Sequence, residues 1–148
     1  MRTLDTTRDE LVERLDRLTP DTPRQWGTMT AHEMLCHVGD LFRLAVGERD
    51  LPLKGKLVHR TLMKWFALYV PLHWPKNVST LSRANPRKAG TKPAVFEEDR
   101  AEVIRLMDAF RARSEPFPVH PLFGPLSRRQ WMRWAHLHTD HHLRQFGV

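Results

Sequence analysis

"SRRQWMRWAHLHTDHHLRQFG", residues 127–147, reads as one helix with a chemically distinct face. Ser127 and Gln130 form the S-x-x-Q pattern of a capping box, in which each side chain satisfies a backbone N–H that the first turn leaves free. No proline interrupts residues 128–146, and Gly147 stands where such a helix stops, just after Phe146. Trp131, Trp134, Ala135, His138, His142 and Gln145 fall on one side, an aromatic and mostly uncharged stripe that a neighbouring helix would cover. His136 and Arg133 are expected to project more nearly away from it. Residues 136–147 hold four of the chain's nine histidines. His138 and His142 stand four apart, a turn apart on one face, where two imidazoles can reach one metal ion. His141 pairs with His138 at i+3, so the spacing by itself leaves the partner open, and a histidine-rich helix produces HxxxH by chance.

The same periodicity recurs upstream. A first helix is expected over residues 7–18, where Leu11, Leu15 and Leu18 repeat at helical spacing before Thr19-Pro20. Thr30 and Glu33 form a second capping box, opening a helix to about Val46 that carries Met34, Val38, Leu41 and Ala45 as its apolar line. A third helix is expected over 55–70, ending before Pro71, and a fourth over 97–113, with Val103, Met107 and Phe110 inward and three acidic residues at its positive end. Residues 71–95 hold four prolines and read as a long irregular connection, which in a compact domain is more often functional than idle. No strand pattern stands out. The expected fold class is all-α: a helical bundle with long irregular connections.

At 148 residues the chain is the length of one domain, 1–148, and its 41% hydrophobic and 28% charged residues suit a globular protein. Its longest apolar run, Trp65 to Val70, is far short of the ~20 residues of a membrane span, so no membrane partner is expected. MRTLDTTRDELVERL at the start lacks the apolar centre of a secretory signal, and the single cysteine, Cys36, permits no internal disulfide; both suit the cytoplasm. The net charge is +7, and the basic residues are scattered along the whole chain without a run of five or six like charges. That disfavours a nucleic-acid-binding protein, which the pI near 10.3 alone would support, and leaves room for an anionic small molecule.

A third metal ligand has one good candidate. His37 lies beside the apolar line of the second helix, with Asp40 one turn on, placed to orient His37, add a carboxylate ligand or accept a proton. The competing reading of His37 is a half-buried histidine bonded to a backbone carbonyl. Cys36 projects about 100° away from His37 around the helix and reads as a small core residue. His32 is expected on the exposed first turn, while His59, His73 and His120 have no partner in register. No nucleophile-elbow, phosphate-loop or dinucleotide fingerprint is present.

"WGTMTAHEMLCHVGD" (26–40) resembles the Trp-then-helix-then-His segment of the DinB-like, or YfiT-like, superfamily of metal-dependent proteins, and "HTDHHLRQFG" (138–147) resembles its closing HxxxHxxQ signature. "HPLFGPLSRRQWMRWAHLHTDHHLRQFG" (120–147) looks like one uncharacterised branch of it. The resemblance implies a four-helix bundle with a metal held by one histidine of the second helix and two of the last, which fall on His37, His138 and His142. Members of the superfamily include transferases and an isomerase that use bacillithiol, mycothiol or glutathione-type thiols. The implied activity is therefore a thiol-dependent transferase or a hydrolase. Its cofactors would be a divalent metal (zinc, nickel, iron or manganese) and a low-molecular-weight thiol, with Asp40 as proton acceptor. A non-catalytic metal- or ligand-binding bundle is the alternative, and a homodimer is compatible with either.

Overall fold

The computed structural model describes residues 1–50, 52–79 and 81–148, and among them the chain is helical with no strand. Its helices are α1 (Leu4–Asp16), α2 (Ala31–Val46), α3 (Lys64–Tyr69), α4 (Phe96–Ala112) and α5 (Arg128–Gln145), with a π-helical stretch, His59–Met63, leading into α3 and a 3-10 turn at Ser82–Ala84. Each of the four long helices packs against two others: α1 and α2 both touch α4 and α5.

The caps read from sequence set the starts of α2 and α5. Thr30 Oγ1 accepts from the Glu33 amide at 3.1 Å while the Thr30 amide donates to the Glu33 carboxylate at 2.8 Å. Ser127 and Gln130 repeat the exchange at α5. Helix α2 is the most enclosed, with Met34, Val38, Leu41 and Ala45 in the core as expected. Phe110 of α4 meets Phe42 of α2 edge-on and Trp131 of α5, joining three helices in one aromatic cluster. Polar ties then set the helices against one another: Arg8 grips Asp108 through two bonds, Arg14 reaches Asp140 at 2.7 Å, and Arg43 reaches Glu102 at 3.0 Å.

Three expectations are corrected. His136 does not project outward; it is buried, with Nδ1 at 2.9 Å from the Thr7 hydroxyl, because α1 covers the side of α5 that the aromatic stripe leaves free. The third helix does not begin at Gly55 but at Leu57. Gly55 is instead pressed against the 121–122 backbone, where a Cβ would lie 1.8 Å from the Leu122 carbonyl oxygen, so only glycine fits. His32 is half-buried rather than exposed, its Nε2 bonded to Asp99 at the start of α4 at 2.6 Å. Among the described residues, no helix is long and apolar enough to cross a membrane.

Candidate metal centre

Helix α2 brings His37 and helix α5 brings His138 and His142 to one buried point, where one ring nitrogen from each lies within 4.8 Å of the others. The ring centroids are 4.7 Å apart for His37–His142 and for His138–His142, and 5.2 Å for His37–His138. His141, the other partner that spacing allowed, stays outside the group: its ring turns toward Trp26 and Trp74.

Hydrogen bonds set which nitrogen two of the rings present. His37 Nδ1 lies 2.7 Å from the Ala84 carbonyl oxygen. A carbonyl only accepts, so Nδ1 carries the proton and Nε2 keeps its lone pair. His142 Nδ1 lies 2.9 Å from Gln145 Oε1. The Gln145 amide is itself oriented, because its NH2 donates to the Trp26 carbonyl at 3.0 Å, which leaves Oε1 facing His142. His142 is therefore also protonated at Nδ1 and free at Nε2. His138 is steadied by its ring lying flat on Trp134, 5.0 Å between centroids and 17° between planes.

Burial favours the neutral form of all three imidazoles. Burial lowers the pKa of His37, against the opposing pull of the Ala84 carbonyl and the nearby Asp40 charge. Burial pushes His138 and His142 well below the usual value, and repulsion between the neighbouring rings adds to it. Three clustered imidazoles that burial keeps neutral, two of them with the tautomer set, are the donor set of a divalent metal site, so these residues fit the ion.

Gly27 explains the glycine after Trp26. Its φ is +78°, and a Cβ there would come within 2.5 Å of Gln145 Nε2. The Trp-Gly pair and the distant glutamine are thus two halves of one contact.

Asp40 is placed otherwise than expected. Its fully buried carboxylate accepts hydrogen bonds from the Thr91 amide (2.7 Å) and hydroxyl (2.5 Å) and from Arg43 (3.2 Å), and forms an ion pair with Arg49 (2.9 Å). The expected partnership with His37 falls to the Ala84 carbonyl, and Asp40 ties the 71–95 connection to α2 from behind the site. That connection also supplies Trp74, whose ring packs on His138 and His141 and whose Nε1 donates to the Ala67 carbonyl of α3. Nothing in the sequence marks Ala84 and Trp74 as site residues. A carbonyl leaves no mark in residue identity, and a lone tryptophan in a proline-rich loop has no periodicity to betray it.

A second group, His32, Cys36 and Asp99, also has ligand-type atoms within 4.8 Å. It differs in kind. Asp99 Oδ2 already accepts from His32, from the Ala94 amide and from the Cys36 thiol, and burial with two nearby carboxylates pushes that thiol up to about 12. It is a satisfied polar joint between α2 and α4, with Cys36 in the core role expected for it. His120, also buried, accepts from the Leu122 and Phe123 amides and is structural.

The chain matches, over residues 3–147, the family described as protein of unknown function (DUF1569). It belongs to the DUF1569 family. The match spans all five helices of this DUF1569 protein and all three converging histidines. No curated protein and no solved structure matches it.

Proposed function

We propose that this DUF1569 protein is a metal-dependent enzyme of the DinB-like or YfiT-like kind: a four-helix bundle that holds one divalent ion on His37, His138 and His142 and carries out thiol-dependent transfer or hydrolysis. The observation that carries this reading is the convergence of three buried, neutral imidazoles, two with the tautomer set by Ala84 and Gln145. The mutual packing of α1, α2, α4 and α5 supports the bundle. Three protein ligands leave a position open, as catalytic rather than structural sites do. Bound there, zinc, nickel, iron or manganese supplies Lewis acidity to water or to a low-molecular-weight thiol. The chain's part is to present three lone pairs, to exclude bulk water with Trp134 and Trp74, and to place positive charge nearby. Lys76, whose ammonium sits 4.5 Å from the Trp26 ring centroid beside the site, suits an anionic thiol.

Protein purified without a histidine tag is expected to hold one equivalent of divalent metal per chain by elemental analysis, and alanine at His37, His138 or His142 to abolish it. Full metal content in the three variants would refute the site. Thiol conjugation or hydrolysis that requires the metal supports the enzyme; stoichiometric metal with no turnover on a panel of thiols and electrophiles favours the non-catalytic binding module.

A further inference from the structure

Between Asp50 and Glu97 the sequence contains no acidic residue, yet it carries nine lysines and arginines. With a net charge of +7 for the whole chain, the remainder is slightly acidic, so the excess positive charge belongs to this one segment.

The same segment breaks the usual rule of burial. Of the thirteen large apolar side chains that stand exposed among the described residues, ten lie between Leu53 and Val78. The helical stretch 57–69 turns Leu68 fully into the core, while on its outer side Leu57 is 76% exposed, Leu62 67%, Trp65 58% and Phe66 51%. An ordinary surface helix shows polar residues outward; this one is apolar outward as well, an arrangement that marks a docking face. Basic residues border it. Lys54 and Lys56 are exposed, and Arg60 turns its Nε to the Gly55 carbonyl rather than to a carboxylate.

The occupant must satisfy both features at once. A second copy docked symmetrically would set this basic, acid-free face against itself. Nucleic acid would meet the charge and leave Leu57 and Leu62 without a partner. A bilayer that contains anionic lipid offers negative headgroups for the lysines and acyl chains for the leucines, with Trp65 and Tyr69 suited to the boundary between them. We infer that residues 53–78 form a peripheral docking face for an anionic membrane surface, on which the 57–69 helix lies without crossing. Thirteen helical residues reach about 20 Å, short of the ~30 Å hydrocarbon core. The inference departs from the expectation of no membrane partner, which rests on the lack of an apolar run of spanning length and takes no account of a face that rests on the surface.

The test is flotation of the full-length protein with vesicles of phosphatidylcholine alone and of equimolar phosphatidylcholine and phosphatidylserine. Binding to the mixed vesicles at low salt, lost with phosphatidylcholine alone and reduced by high salt, is the expected result. Lys54→Glu with Lys56→Glu should weaken it by about tenfold or more. Leu62→Ser with Phe66→Ser should weaken it comparably, with the circular dichroism spectrum unchanged. Absence of binding to the mixed vesicles overturns the inference, and so does binding that survives the Leu62→Ser, Phe66→Ser change. A dimer in solution that this pair of substitutions dissolves, without vesicle binding, makes the face an interface between copies and equally overturns it. None of these readouts depends on the metal centre.

Discussion

The amide of Gln145 faces two ways: its NH2 is held by the Trp26 carbonyl, and its oxygen holds the His142 ring. It touches no reacting atom, so its effect is on how well the site presents its lone pairs. Gln145→Leu should leave a folded protein whose metal affinity falls by roughly 10–100-fold, measured by competition with a chromophoric chelator. Gly27→Ala should act in the same direction through the same amide, because its Cβ would displace Gln145 Nε2 and its φ of +78° suits no other residue well. Unchanged affinity in both variants would mean that the His142 ring is held by something else. Asp40 is the contrasting case. Asp40→Asn removes the charge that faces Arg43 and Arg49, and should cost on the order of 3 kcal/mol, at the low end for a buried pair because both guanidiniums are partly exposed. Metal content should stay stoichiometric in that variant; its loss would move Asp40 into the site.

Helix α5 carries two burial faces instead of one. Trp131 meets Phe110 of α4 and the 117–120 loop, and His138 and His142 meet His37 of α2, while His136 and Arg14's partner Asp140 meet α1. The Trp131 ring is fully buried among Phe110, Phe117, His120 and Trp134. Trp131→Ala should therefore cost about 3–5 kcal/mol in urea unfolding, well above what truncation of the outward Trp65 should cost. Equal, small losses at both would mean that the helix is rotated from the orientation described. The short 57–69 helix shows how an element's end is set by its neighbours: the amides of Lys54 and Gly55 donate to the Pro121 carbonyl, so the chain there is tied to residues 121–122 instead of opening the helix.

Across the whole molecule, buried histidines make folding sensitive to acid. Burial lowers His136 from 6.5 to about 4 and His120 from 6.5 to about 3. Unfolding restores the usual value, so below 6.5 the unfolded chain takes up protons that the folded one refuses until about 4. Stability should be insensitive to these two groups above that range and fall progressively as the pH drops through it. Urea midpoints read from neutral pH downward should show this, with a shallower decline in His136→Gln; a flat profile would contradict the burial of both rings. If the proposed site binds metal, added divalent ion should raise the melting temperature with the logarithm of its concentration, since only the folded chain brings His37, His138 and His142 together.

What the sequence determined was local. Capping boxes at Thr30 and Ser127, apolar spacing along α2 and α5, and the register of His138 with His142 all depend on neighbours within a turn or two, where side-chain geometry follows from backbone periodicity. The fold class and the histidine-bearing face of α5 were legible for that reason; His37 stood out as a candidate third ligand, and only the family resemblance preferred His142 to His141. The tertiary structure decided what distance along the chain hides. It chose His142 over His141 by setting how α5 turns toward α2, covered His136 with α1, and gave His37 a carbonyl from residue 84 in place of the carboxylate one turn away. It also left the apolar side of residues 57–69 facing outward, which periodicity alone reads as core. Each of these rests on which surfaces meet when helices far apart in sequence pack, and a helix carries no record of its partner beyond the face it offers.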